Sequence, residues 1–169
     1  YVLKHCLMRG LGIGLWATTG NECDVDMAEL LLWLAGRDEA EILVAYMEGV
    51  RRGRTLVAAL ELARRKRKPV VVMKVGRTET GRVAARSHTD ALTGEDEVYE
   101  AVFRQYGAYR AGTTEELLDV TYALTKRRLP AGRRLGVLSI SGGIGVQIAD
   151  FASDAALEMP RLPDATGAA

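Results

Sequence analysis

Apolar runs of strand length alternate with stretches of helical periodicity along most of the chain. The segments LGIGLWA at 11–17, ILVAYM at 42–47, VVVMKV at 70–75 and LGVLSI at 135–140 are short and nearly unbroken, as strands covered on both faces require. Between them, 26–34 sets Leu30, Leu31 and Leu34 on one face, and 53–66 repeats Leu56, Leu60 and Ala63 at helical spacing. A third stripe, Val98, Val102 and Tyr106, runs through 96–106, and Gly107 separates it from a short strand, AYRA, at 108–111. Thr113-x-x-Glu116 then has the form of a capping box, which satisfies free N–H groups at a helix start. It opens a helix that turns Leu117, Leu118, Thr121 and Leu124 inward. The βαβα alternation predicts an α/β domain on a parallel sheet.

The pattern breaks at 127–134, where RRLPAGRR combines proline, glycine and charge in the manner of a linker. Beyond it, LGVLSISGGIGVQIADFASDAAL supplies one strand, a glycine turn and one helix. A single βα unit cannot bury its own faces, so a second domain is expected to be cut off here. At the other end, Tyr1–Arg9 reads as the closing turns of a helix with no strand ahead of it. The expected organisation is a first domain over 1–126, a linker over 127–134 and the first βα unit of a second domain over 135–169, a piece of a longer polypeptide incomplete at both ends.

Composition narrows the classes. Hydrophobic residues at 48% and charged residues at 27% exclude disorder, and no apolar run is long enough for a membrane span. With no signal-peptide layout at the start, the reading is a cytoplasmic protein with no membrane partner. The 23 basic and 22 acidic side chains leave no net field for nucleic acid. The basic run Arg64–Lys68 closes a helix just before Pro69, where cations complement the negative helix end. Cys6 and Cys23 have neither metal-ligand nor redox-motif spacing and read as reduced thiols.

Chemistry concentrates in three places. His88 stands between Ser87 and Thr89 in a polar segment after the strand VVVMKV, and the ends of parallel strands are where sites form. Small neighbours leave the imidazole open to act as nucleophile, general base or metal ligand, with metal the weakest option for want of a second ligand at suitable spacing. A nucleophilic histidine needs an acceptor on its other nitrogen, and Glu48 in AYMEGV stands at the end of the preceding strand. Ser141-Gly142-Gly143-Ile144-Gly145 lies between strand and helix, where glycine lets backbone N–H groups approach an anion. A tight turn needing glycine is the alternative reading of Gly142 and Gly143. The loop Gly20–Asp26, which includes Asn21, lies at a strand end and is a further candidate contact.

The order Gly20-Asn21 with Asp24-Val25-Asp26, AYMEG, VMKVGRTETG, AARSHTDALTGEDEVY, FRQYGAYR and SISGGIGV resembles the NDP-forming acyl-CoA synthetases of the succinyl-CoA synthetase superfamily. The resemblance covers nearly the whole chain. It implies a flavodoxin-like fold, a three-layer doubly wound parallel sheet here lacking its first strand, followed by the start of a second flavodoxin-like domain. It further implies that His88 takes the γ-phosphoryl group of ATP and that Glu48 steadies it. Gly142 and Gly143, with Ser87 and Thr89, would contact the phosphoryl group.

The activity so implied is an ATP-dependent, ADP-forming acid:CoA ligase working through a phosphohistidine and an acyl phosphate. Its substrates would be ATP with Mg, CoA and a small carboxylic acid. ATP/ADP and CoA would be held mainly by an ATP-grasp domain or subunit and a CoA-binding domain outside this chain, so that the chain alone is inactive and holds no tight cofactor or metal. A homo-oligomer stays open. Asp90 departs from the family motif, which has glycine there, and sets a negative charge two residues from a group that must become anionic. That departure keeps a second reading in view, a non-catalytic CoA or acyl-CoA sensing module of a larger protein such as an acetyltransferase fusion. A flavodoxin-like cofactor binder is a third.

Overall fold

The computed structural model describes residues 2–81, 83, 95–127 and 130–161. The chain divides into two compact units, 1–127 and 128–169.

The first unit is built on three parallel strands in the order β1 (Leu43–Met47), β2 (Val70–Lys74), β3 (Tyr109–Arg110). Register sets Leu43 opposite Val70, Met47 opposite Lys74 and Val71 opposite Tyr109. Helices lie on both faces. On one, α2 (Met27–Gly36), α3 (Gly53–Arg65) and α4 (Asp96–Tyr106) pack Ala28, Leu31, Ala59, Leu60 and Phe103 against Leu43, Ala45, Met47, Val70 and Val72. On the other, α5 (Thr114–Thr125) sets Leu117 against Val71 and Ala111, and α1 (Val2–Met8) brings Cys6 to Leu118. This is a three-layer α/β fold. Alternation along a strand sends successive side chains to opposite layers, so the unbroken apolar run of β2 serves both.

Local chemistry sets the element ends. Asp26 caps α2, its Oδ1 accepting from the Glu29 amide at 2.8 Å while Glu29 Oε2 accepts from the Asp26 amide at 3.1 Å, so a capping box forms that the sequence pattern does not single out. At α5 the box is half made. Thr113 Oγ1 accepts from the Glu116 amide at 3.1 Å, but the Glu116 carboxylate accepts from Tyr109 Oη and the Gly112 amide, both at 2.6 Å. α4 ends on Gly107 at φ 73, a left-handed conformation that lets the Ala108 amide reach Phe103 O at 2.9 Å and turns the chain into β3.

Two expected strands are absent from the described residues. Segment 11–17 forms no ladder; it carries Gly12 and Gly14, which weaken a strand, and Leu15 and Trp16 are exposed. In the second unit, 135–140 is not a strand either. Arg134 makes an isolated parallel bridge to Glu158, with the Leu135 amide donating to Glu158 O at 2.8 Å, while Leu138 and Ile140 are fully exposed. A strand exists only with a neighbour to bond, and an apolar run cannot supply one. The helix of this unit, α6 (Gly142–Asp154), forms where the pattern sets it.

Candidate functional site

The carboxyl ends of β1, β2 and β3 form one edge of the sheet, and the loops leaving it carry most of the candidate residues. Glu48 follows the last residue of β1 and is half-buried. β2 leaves at Lys74, and the Val75 amide still bonds Met47 O at 3.0 Å, so the exit of β2 runs beside the start of the Glu48 loop. His88, Ser87, Thr89 and Asp90 lie outside the described residues.

Asn21 reaches this edge by its backbone. Arg51, three residues beyond Glu48, donates from Nη2 to Asn21 O at 3.4 Å, and Arg52 pairs with Glu29 and lies 3.6 Å from Asp26 Oδ2. The Gly20–Asp26 loop is thus held against the β1–α3 loop. Gly20 at φ 59 allows the turn that directs Glu22 onto the Met27 amide, 3.1 Å away. With Asp26 and Glu22 both accepting from its first turn, the N-terminus of α2 is occupied by the chain's own carboxylates.

The start of α6, in the other unit, differs. Its N-cap Ser141 makes no side-chain cap bond, and Gly142 and Gly143 are exposed. Neither glycine has a positive φ, and a Cβ built on either meets nothing within 4 Å. The turn therefore does not demand glycine. What the two glycines leave is bare, uncapped amide surface at a helix N-terminus, where backbone N–H groups and the helix dipole favour an anion.

Several charged groups at the sheet edge carry no motif. Arg110 on β3 bonds Asp96 Oδ1 at 2.6 Å and Glu100 Oε2 at 3.1 Å, tying β3 to the first turns of α4. The hydrogen bond from Arg110 holds the Asp96 carboxyl below its usual range, with the charges of Arg110, Lys74 and Arg77 adding to the effect. Lys74 is only 3% exposed, and its ammonium lies 4.8 Å from the Tyr99 ring centroid. Burial raises the Tyr99 phenol, partly offset by the Val50 backbone. The one available sequence signal for Lys74 was a charge inside an otherwise apolar strand run.

No group of three His, Cys, Asp or Glu side chains that could hold a metal ion occurs among the described residues, and no helix there is long and apolar enough to cross a membrane.

Helices on both faces of a parallel sheet, with polar loops gathered at its carboxyl edge, define a flavodoxin-like α/β domain. Residues 1–124 match the succinyl-CoA ligase like flavodoxin domain, and the chain belongs to that family. It is 35% identical over 165 residues to the ADP-forming acetate–CoA ligase of Methanocaldococcus jannaschii, covering 98% of this chain and 23% of that protein. It is 36% identical over 165 residues to the alpha subunit of ADP-forming acetate–CoA ligase II of Pyrococcus furiosus, covering 98% and 36% of the two chains. Among solved structures, the dinucleotide forming acetyl-coenzyme A synthetase 1 of Ca. Korarchaeum cryptofilum, in complex with phosphate and ADP, superposes with a TM-score of 0.84 at 33% identity over 96% of this chain and 35% of that one. The chain therefore spans about a quarter to a third of the length of these relatives.

Proposed function

We propose that this chain is part of an ATP-dependent, ADP-forming acid:CoA ligase, with His88 as phosphoryl carrier and Glu48 as the acceptor that orients it. The observation that carries the reading is the placement of Glu48 at the carboxyl end of β1, beside the strand whose continuation bears His88, in a chain similar over 98% of its length to ADP-forming ligases. A carboxylate there would accept a proton from one imidazole nitrogen, leaving the other as nucleophile.

In the proposed cycle that nitrogen attacks the γ-phosphorus of Mg-bound ATP, the P–O bond to ADP breaks, and the imidazolium proton is shared with Glu48. The carboxylate of the acid substrate then attacks the phosphorus, the P–N bond breaks with its electron pair returning to the imidazole, and an acyl phosphate and neutral histidine result. The CoA thiolate displaces phosphate to give the thioester. Positioning and fixed dipoles carry such a transfer, since little covalent work falls to the protein. The uncapped amides at Gly142 and Gly143 suit the phosphoryl oxygens in this role, as would Ser87 and Thr89, and the Asn21 loop borders the same sheet edge.

The reading extends to what lies beyond the chain. Residues 135–169 would open a second flavodoxin-like domain after a linker over 127–134. ATP and CoA would be bound mainly by an ATP-grasp domain or subunit and a CoA-binding domain; the Pyrococcus furiosus relative is itself named as a subunit, which favours assembly from parts. Substrates of this kind place the work in the cytoplasm.

In the full ligase, His88→Asn should abolish thioester formation and acid-labile, alkali-stable label from γ-radiolabelled ATP while the thermal midpoint stays unchanged. Undiminished turnover would overturn the assignment. The second reading, a non-catalytic sensing module, rests on Asp90 alone. If that carboxylate blocks phosphorylation, wild type takes no label and Asp90→Gly takes it; label on wild type removes the second reading.

A further inference from the structure

Lys74 closes β2, the central strand, at the point where the chain leaves the carboxyl edge. By strand alternation Val70, Val72 and Lys74 share a face, and the two valines lie in the core with Phe103 of α4. A methionine has the same reach without the charge. For packing alone an ammonium is the costlier choice, because it leaves water and needs polar partners in return.

Two of its partners lie at one level of the fold. Nζ donates to Val75 O at 2.5 Å, which turns the side chain toward the strand exit, and it stands over the Tyr99 ring. Tyr99 and Val50, the latter two residues past Glu48, both pack against the same core cluster. Across the sheet, Lys74 is the register partner of Met47, the residue before Glu48. One buried cation thus stands at the exit of β2, over the Tyr99 ring of α4 and in register with the residue before Glu48.

We infer that Lys74, acting through Tyr99 and the strand-end backbone, is a positioning residue that sets the Glu48 loop for phosphoryl transfer. The inference rests on the ligase reading above. Its charge lies where water is largely excluded, so its hold on the Val75 carbonyl and the Tyr99 ring is little screened. Neutralising it would let that loop and its charge shift, harming the transfer and leaving acid and CoA binding alone.

The test uses the full ligase with γ-radiolabelled ATP in single turnovers, beside steady-state kinetics and thermal melts. Lys74→Met and Lys74→Gln should each slow the appearance of label about tenfold or more, with KM for acid and CoA within about twofold and the melting midpoint of Lys74→Met at or above wild type. Lys74→Arg, which keeps the charge, should recover most of the rate. Tyr99→Leu keeps an apolar side chain, removes the ring beneath the ammonium and should give a smaller loss with the same KM pattern, so it serves even if Lys74→Met folds poorly. Label at the wild-type rate in both neutral variants, or a loss that Lys74→Arg does not relieve and that follows a drop in melting midpoint, overturns the inference. His88→Asn separates the two levels. If wild type takes label and His88→Asn does not, full-rate Lys74→Met defeats only this inference; if wild type takes none, the ligase reading falls and this one with it.

Discussion

Asp26 shows how much one side chain carries at this edge. It is buried, its Oδ1 caps α2, and its Oδ2 is a buried oxygen with no hydrogen-bond partner among the described residues, Arg52 Nε lying 3.6 Å away. Asp26→Ala should cost about 1–2 kcal/mol in urea denaturation through loss of the cap, and Asp26→Asn less, since an amide oxygen can still accept from Glu29. Asp96 makes a pH-dependent contribution. Its folded carboxyl titrates below the ordinary 3.8, chiefly through the Arg110 hydrogen bond, so the pair's stability is fully present above that value and is lost as pH falls through the lower folded one. Melts taken between about pH 6 and pH 2 should show a steeper acid-side fall for wild type than for Asp96→Asn. Parallel slopes would mean that the pair is not held in solution. His88, Glu48, Gly142 and Gly143 were legible as residues worth attention because their types are unusual in their settings. Lys74, Tyr99, Asp96 and Arg110 were not, because what sets them apart is burial and mutual contact.

At the scale of elements, periodicity was a good guide wherever an element carried its own hydrogen bonds or lay between two others. All of the expected helices form, and β1, β2 and β3 lie within a residue or so of their apolar runs. Phe103 lies deep between α4 and the sheet at 1% exposure, so Phe103→Ala should destabilise the first unit by about 3–5 kcal/mol, read as a lower urea midpoint with an unchanged slope. The runs at 11–17 and 135–140 have strand composition but no described neighbour, which a local pattern cannot foresee. β1 is the other consequence. Its alternate residues Val44 and Tyr46 are 44% and 52% exposed on the face that α5 covers over β2, and β2 is its sole described neighbour. An apolar sheet edge invites pairing, so the isolated chain should associate as its concentration rises, and Val44→Glu with Tyr46→Lys should reduce that in light scattering.

At the scale of the molecule, the chain divides into two compact units and spans about a quarter to a third of the length of the ligases it is similar to, which agrees with the proposal that it is one section of a larger ligase. Mixed with ATP, a small carboxylic acid and CoA, the 169-residue chain alone should consume no thiol, and consumption should begin once the ATP-grasp and CoA-binding parts are supplied. Thioester formation by the chain alone would contradict that division of labour. Nothing in the periodicity of the chain indicates such partners; they enter through the order of motifs and through the similarity to longer proteins.

The residue order was enough for the layered α/β class and the helix positions, because each depends on interactions a few residues apart or on which side chains avoid water. Which apolar runs become strands, which helix N-termini stay open and which charge is buried depended on the folded arrangement. Each of those is settled by what lies opposite in space: a strand needs a partner's backbone, the α2 amides were taken by Asp26 and Glu22 while those of α6 were not, and the Lys74 ammonium is buried over the Tyr99 ring and against the Val75 carbonyl.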